Sequence, residues 1–129
     1  MRLLLDTHAL IWWLAGDRQL PVAAQNAITD EDNSVYVSAA SAWEVTTKAR
    51  LGKLPHALAL AQDFARQIER EGFAPLAISV EHAERAGNLP GLHKDPFDRM
   101  LIAQAQAENL ILVSNEAVFD QYGITRLWD

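Results

Sequence analysis

Four acidic residues, each at the end of an apolar run or near the start of a helix, could together hold a divalent cation. They are Asp6, Glu44, Asp98 and Glu116. In an open parallel sheet, ligands bind outside the carboxyl ends of the strands, so residues at those ends come together. Carboxylates that converge there repel one another unless a cation lies between them, and such hard oxygen ligands suit Mg²⁺ or Mn²⁺. The pattern therefore predicts a metal site.

Each acid also has a purely structural interpretation. Asp6 precedes a predicted helix and could be its N-cap, where the side-chain oxygen accepts hydrogen bonds from free amides. Glu44 completes a Ser-x-x-Glu capping box that begins at Ser41. Glu116 would favour the dipole of a short helix that Ser114 could cap. Capping and metal binding both stay open for each position alone, and the joint placement on one rim is what favours the metal.

Further polar residues lie beside these acids. Thr7 could hydrogen-bond a ligand oxygen or a bound water. Asp95 has the N-cap position of a helix with Pro96 at N1, which leaves Asp98 as the freer carboxylate. Arg99 could pair with a carboxylate or with a substrate phosphate, although a surface salt bridge is the commoner role.

The elements that must position these side chains alternate between strand and helix. Predicted strands cover residues 2–6, 34–38, 74–78, 110–113 and 124–128, and predicted helices cover 7–15, 21–29, 41–50, 56–70, 79–86 and 95–108. Apolar residues recur at helical spacing through 56–70, which predicts one amphipathic helix there. Strands separated by helices imply right-handed crossovers and a parallel sheet covered on both faces. We predict a three-layer α/β/α fold with a central, mostly parallel sheet.

Composition predicts a single domain over residues 1–129, with half of the residues hydrophobic and 22% charged. The sequence has no cysteine, which excludes disulfides and Cys-based zinc sites and fits a cytoplasmic protein. The apolar runs are too short for a signal peptide or a membrane span. No P-loop, dinucleotide fingerprint or nucleophile elbow is present.

The net charge of −6 argues against a nucleic-acid partner, because such proteins usually have a basic face. The argument weakens if several of the acids surround a cation, which reverses the local field. Two basic groups lie close in sequence to the acids and could contact phosphates: Lys48, Arg50 and Lys53, and then His93, Lys94 and Arg99. A solvated face is the more frequent meaning of such groups.

Five segments together resemble the PIN-domain nucleases, specifically the VapC-type toxins of bacterial type II toxin–antitoxin modules, and the resemblance runs essentially end to end. They are Leu-Leu-Leu-Asp-Thr-His-Ala at 3–9, Ser-Ala-Ala-Ser-Ala-Trp-Glu at 38–44, Arg-Leu-Gly-Lys-Leu at 50–54, His-Lys-Asp-Pro-Phe-Asp-Arg at 93–99 with Leu-Ile-Ala-Gln-Ala at 101–105, and Leu-Val-Ser-Asn-Glu at 112–116. A receiver domain is disfavoured because Asp6 has no acidic neighbour, and an Asp-x-Asp phosphatase because His8 takes the second position.

The resemblance implies a PIN fold and a Mg²⁺- or Mn²⁺-dependent endoribonuclease that is inhibited by a cognate antitoxin and forms a homodimer. It assigns metal ligands to Asp6, Glu44 and Asp98, a supporting hydroxyl to Ser114 and a helper role to Asp95. The fourth family acid is usually Asp, and the matching position here holds Glu116, whose extra methylene places the carboxylate differently. The alternative is therefore a catalytically weakened PIN domain that binds RNA or protein.

Overall fold

The central element of the fold is a parallel sheet whose strands were all predicted from the sequence. The structure is a computed structural model that describes residues 1–91 and 93–129. In this part of the chain the sheet has five strands: β1 (Arg2–Leu5), β2 (Ser34–Ser38), β3 (Ala74–Leu76), β4 (Ile111–Val113) and β5 (Arg126–Leu127). Their order is β3-β2-β1-β4-β5, and every pairing is parallel.

The helices lie between these strands in the chain. They are α1 (Thr7–Ala15), α2 (Val22–Thr29), α3 (Ala39–Arg50), α4 (Leu58–Gln62), α5 (Phe64–Arg70), α6 (Val80–Asn88) and α7 (Pro96–Glu108), with 3₁₀ turns at Pro55–Ala57 and Ala117–Tyr122. Asp95 caps α7 and Pro96 opens it, as the sequence predicts. Within the described residues, no helix is both long enough and apolar enough to cross a bilayer.

The two faces of the sheet cover separate apolar cores, which confirms the predicted three layers. Leu3 and Leu5 of β1 point into a core against α1, α2, α4 and α5, whereas Leu4 between them points into a second core against α7. Successive strand residues face opposite sides, so a strand covered on both faces reads as an unbroken apolar run. All three leucines are fully buried. The β1 strand is therefore held on both sides, which fixes the position of the residue that follows it.

The prediction of a single helix over residues 56–70 is wrong, because Asp63 interrupts the helical conformation. Asp63 has φ −149° and ψ 41°, and it separates α4 from α5. Asp is a poor residue for a helix interior because its side chain competes for nearby backbone groups. The apolar positions of the pattern still reach the core, where Leu60, Phe64 and Ile68 are buried.

The start of α3 also differs from the prediction. Ser38 ends β2 and at once caps α3, since its hydroxyl accepts a hydrogen bond from the Ala40 amide at 2.9 Å. Ser41 lies inside the helix and is fully buried, so the predicted Ser41–Glu44 capping box is wrong. Glu44 is therefore not needed at the helix terminus.

A buried polar network joins the sheet to α6 and α7 through Gln104. Its Oε1 accepts a hydrogen bond from the Ser38 hydroxyl, and its Nε2 donates to the Ala77 carbonyl at 3.3 Å. Next to it, His82 Nδ1 accepts from the Ser79 amide at 3.0 Å. His82 Nε2 therefore carries the proton and donates to Glu108 Oε1, 2.9 Å away.

Replacing Gln104 by Leu should lower the free energy of unfolding by about 2 kcal/mol, because the buried Ser38 hydroxyl would lose the group to which it donates its hydrogen bond. Urea unfolding of Gln104→Leu beside Gln62→Leu, which changes an exposed residue of α4, would measure this. Equal stability of the two variants would show that the network contributes nothing.

Candidate metal centre

The candidate site lies on the carboxyl edge of the sheet, at the point where the strand order reverses. From β1 the chain passes to β2 on one side, while β4 pairs with β1 on the other side. The crevice outside such a reversal is where ligands of open α/β sheets bind. Asp6 follows β1, and its amide donates to the Val113 carbonyl of β4 at 3.1 Å. The ends of β1 and β4 are thereby held together.

Asp6 is buried and does two things at once. Its Oδ1 accepts a hydrogen bond from the Ala9 amide at 2.8 Å, so it caps α1, and its carboxylate also hydrogen-bonds to the Ser114 side chain. Burial raises the pKa of Asp6 to about 6 against the lowering effect of these hydrogen bonds, and the negative charge of Glu116 adds to the increase. The cap and the acid cluster therefore share this carboxylate.

Glu44 projects from α3 into the same site and is 5% exposed. Its Oε1 accepts a hydrogen bond from the Thr7 hydroxyl at 2.6 Å, and its Oε2 pairs with the ammonium group of Lys48. The hydroxyls of Thr7 and Ser41 lie 3.1 Å apart. Burial lowers the pKa of Lys48, but the hydrogen bond and charge of Glu44, with the charges of nearby acids, raise it above its usual value overall.

Asp98 lies in the first turn of α7, with its Oδ2 2.8 Å from His93 Nε2. Burial raises the pKa of Asp98 to about 7; the hydrogen bond to His93 opposes this, and the negative charges of Asp95, Glu116 and Glu44 increase it further. Asp95 itself caps the helix, because its Oδ1 accepts from the amides of Phe97 and Asp98 at 2.9 and 3.1 Å. Three other acids thus lie close enough for their charges to act on Asp98.

Glu116 is the most accessible of the acids. It is exposed and precedes the 3₁₀ turn Ala117–Tyr122, where its side chain makes no capping hydrogen bond. Its amide donates to the hydroxyl of the buried Ser114 at 3.0 Å. Ser114 therefore connects Glu116 to Asp6. It does not cap the turn, so the predicted capping role of Ser114 is wrong.

Among residues 1–91 and 93–129, Arg99 forms no ion pair with a carboxylate, although the sequence offered this role. Its guanidinium donates to the backbone carbonyls of Ala86 at 3.1 Å, His93 at 3.0 Å and Leu89 at 2.6 Å. These bonds hold the end of α6 to the segment that leads into α7. The prediction of a carboxylate or surface salt bridge for Arg99 is wrong, and its role is to fix the start of the helix that carries Asp98.

The contacts of Lys48 with Glu44 and of His93 with Asp98 were not predicted from the sequence. Lys48 follows Glu44 by four residues, and this helical spacing is a known signal for an ion pair. His93 lies in the loop before α7, and a contact between a loop residue and a helix residue has no regular sequence spacing that would predict it. Of the basic residues that were considered as phosphate contacts, Arg50, Lys53 and Lys94 are exposed.

The donor set fits a hard divalent cation, although the side chains are not arranged around one point. Among residues 1–91 and 93–129, no three His, Asp or Glu side chains converge closely enough to hold an ion. Glu44 is turned toward Lys48, and Asp98 toward His93. Burial is the main cause of the raised pKa values of Asp6 and Asp98, and the negative charges of neighbouring acids add to it; a bound cation would favour the ionised form of both groups. An ion bound there would share Glu44 with Lys48 and Asp98 with His93.

Without metal, the Asp98→Asn variant should gain stability relative to the parent chain as the pH rises from 5 to 8. The pKa of the Asp98 carboxyl is about 7 in the folded state, above its ordinary value of 3.8, mainly because the group is buried. Folding therefore becomes less favourable as the pH rises between these values, and the neutral Asn escapes this cost. We expect a gain of roughly 1–2 kcal/mol between pH 5 and pH 8.

Urea unfolding in chelator at both pH values measures this difference. The Asp30→Asn variant, in which the altered side chain is exposed, is the matched control. A stability difference for Asp98→Asn that is the same at pH 5 and pH 8 would contradict the raised pKa.

Comparison with known proteins gives a family and several relatives. A family model described as PIN domain matches residues 3–124. Ribonuclease VapC22 of Mycobacterium tuberculosis is 29% identical over 116 residues, which cover 88% of this chain and 85% of that protein. Ribonuclease VapC16 of the same organism is 44% identical over 59 residues, and the match spans 46% of this chain and only 40% of that relative.

Solved structures give the same fold. A chain in the crystal structure of VapBC2 from Rickettsia felis, bound to a DNA fragment from the promoter, superposes with a TM-score of 0.73. The match covers 100% of both chains at 19% sequence identity. At this identity the likeness shows the fold, which agrees with the predicted three-layer arrangement.

Proposed function

The chain belongs to the PIN domain family, and from that premise we propose that it is a metal-dependent endoribonuclease and the toxin of a toxin–antitoxin module. The observation that carries the proposal is the group of acids at the reversal of strand order, where the negative charge of Glu116 acts on both Asp6 and Asp98. PIN-domain ribonucleases generally depend on a divalent metal, and Mg²⁺ or Mn²⁺ is the ion we propose here.

The relatives support this activity and the partners. Two of them are named ribonucleases, and a structural neighbour from Klebsiella pneumoniae is a toxin–antitoxin complex. We propose that RNA is the substrate, that a cognate antitoxin protein is the inhibitor, and that residues 1–129 act as one PIN domain in a cytoplasmic homodimer. The full-length resemblance to VapC22 is the stronger support, because the match to VapC16 spans less than half of that protein.

In the proposed site, the ligands of the ion are Asp6, Glu44 and Asp98, with Glu116 assisting. A divalent ion held there would lower the pKa of a water molecule and neutralise charge on the scissile phosphate. The protein orients its own carboxylates: Thr7 holds Glu44 Oε1, Ser114 holds Asp6, and His93 holds Asp98 Oδ2.

Three further groups act through these carboxylates. Lys48 offsets the charge of Glu44, and Asp95 fixes the first turn of α7 by its capping hydrogen bonds. Arg99 holds the segment before that turn to the end of α6. These are positioning roles, because none of the three requires contact with the reacting atoms.

Incubation of the purified protein with total RNA in Mg²⁺, in Mn²⁺ and in chelator tests the proposal. We expect discrete fragments that depend on the metal. A folded protein that cleaves nothing with either metal would favour the weakened binding module instead. The exposed, longer Glu116 is the feature that favours this alternative, and cleavage that appears only in the Glu116→Asp variant would assign the loss to that residue.

A further inference from the structure

A small apolar groove opens on the same rim as the acids, and the proposed chemistry makes no use of it. It has a volume of about 210 Å³ and lies between α3, α6 and α7. Its lining includes Ala40, Ile78 and Met100, together with the rings of Trp43 and Phe97. Ala40 follows β2 and Ile78 follows β3, so the groove continues along the carboxyl edge of the sheet where ligands of such folds bind.

The two aromatic rings are fixed relative to the acid cluster. Trp43 directly precedes Glu44 in α3, and Phe97 directly precedes Asp98 in α7. The ring centroids lie 5.0 Å apart at an interplanar angle of 74°, an edge-to-face contact. Lys48, which pairs with Glu44, has its Nζ 5.9 Å from the centroid of the Phe97 ring. A group seated on Trp43 is therefore adjacent to the carboxylates.

Trp43 is a large aromatic side chain that stays exposed to solvent beside the groove. It is 62% exposed, although burying an indole ring would be favourable. The groove is smaller than the 300–1,000 Å³ or so of a typical ligand pocket, so it suits one flat ring system. A partner helix would instead need anchor pockets over several turns. RNA single strands are commonly recognised by stacking of splayed bases on aromatic side chains.

We propose that Trp43, supported by Phe97, is a stacking platform for one base of the RNA substrate, next to the scissile phosphate. This inference rests on the proposed ribonuclease function and assigns a substrate-positioning residue for it. The phosphate lies toward the acids, and the base lies on the apolar side of the same rim.

We expect the groove to bind the base by stacking on its aromatic face and not by hydrogen bonds to its edge. The cationic group that borders it, the guanidinium of Arg99, is already engaged with backbone carbonyls. Stacking tolerates every base, because each has an aromatic face. The position should therefore accept all four bases, with purines favoured over pyrimidines through their larger stacking area.

Binding of short RNA probes tests the platform independently of cleavage. The probes are a ten-nucleotide oligoadenylate and an abasic ribose-phosphate chain of the same length, used with the Asp6→Asn variant so that the RNA stays intact. Adding Trp43→Ala should weaken oligoadenylate binding about 5- to 100-fold, the value of one stacked base. Binding of the abasic chain should not change, and Trp43→Phe should restore most of the affinity.

The control is Val22→Ala, which removes an apolar side chain that is 68% exposed on α2. Unchanged binding of oligoadenylate by Trp43→Ala, or equal weakening for the two probes, would overturn the stacking role. Sedimentation of Trp43→Ala should give the mass of the parent assembly. A changed mass would also overturn the proposal, because a second copy would then cover the groove.

The two proposals fail separately. RNA cleavage by the parent chain with no dependence of probe binding on Trp43 would exclude the platform and leave the nuclease. Base-dependent binding through Trp43 by a folded chain that cleaves no RNA would exclude the nuclease and leave the platform.

Discussion

Replacing Asp6 by Asn should lower the rate of RNA cleavage by about 1000-fold while the chain stays folded. A metal ligand contributes several kcal/mol to stabilisation of the transition state, and each 1.36 kcal/mol is a factor of ten in rate. Asn is as good an N-cap as Asp, so the cap on α1 is kept when the charge is lost. Single-turnover cleavage of a labelled RNA, with thermal unfolding beside it, measures both effects.

The Asp30→Asn variant is the matched control for Asp6→Asn. Asp30 lies before β2, at the opposite edge of the sheet from the site, and it is exposed. Its substitution removes the same charge and should leave the cleavage rate unchanged. An Asp6→Asn variant that cleaves at the parent rate would remove Asp6 from the proposed site.

Binding of Mn²⁺ should become roughly tenfold tighter between pH 6 and pH 8 and should release protons. Carboxyl groups must be ionised to bind a metal. Burial raises the pKa of Asp6 to about 6 and that of Asp98 to about 7, so protons compete with the metal at pH 6 and are absent at pH 8. Calorimetric titration in two buffers with different heats of ionisation gives the affinity and the number of protons released.

The Asp98→Asn variant distinguishes Mn²⁺ binding by this carboxylate from non-specific attraction of Mn²⁺ to the negative charge of the protein. The variant should bind Mn²⁺ at least about tenfold more weakly, since one ionised ligand is lost, and should release fewer protons at pH 6. Asp30→Asn should behave as the parent chain does. An Mn²⁺ affinity that is equal at pH 6 and pH 8 would contradict a metal held by these buried carboxyls.

The fold could be predicted from the sequence where a single local pattern decides the structure. The unbroken run Leu3-Leu4-Leu5 indicates a strand covered on both faces, and each of its leucines is fully buried. Asp95 followed by Pro96 indicates the start of α7. The break at Asp63 was not predicted, because the helical spacing of apolar residues continues across it. The early start of α3 at Ala39 was not predicted either, because the helix follows β2 directly with no turn between them.

In the candidate site too, some features could be predicted from the sequence and others could not. The acids could be placed on one rim from the order of elements alone, because the ends of parallel strands meet at one edge. Their partners could not, since the contact of His93 with Asp98 and that of Ser114 with Asp6 depend on the path of loops. The bonds of Arg99 to backbone carbonyls were not predicted, because a sequence does not distinguish an arginine that binds carbonyls from one that pairs with a carboxylate.

The most direct test of metal-dependent hydrolysis at the acid cluster is the chemical identity of the RNA ends. If water attacks the phosphorus, a P–O bond to water forms, the P–O3′ bond breaks and the 3′-oxygen takes a proton. The fragments then carry 5′-phosphate and 3′-hydroxyl ends, and cleavage tolerates a 2′-deoxy sugar at the scissile nucleotide. End-group analysis of fragments made with Mn²⁺ should give this result. Fragments with 2′,3′-cyclic phosphate and 5′-hydroxyl ends would show attack by the 2′-hydroxyl and contradict the account.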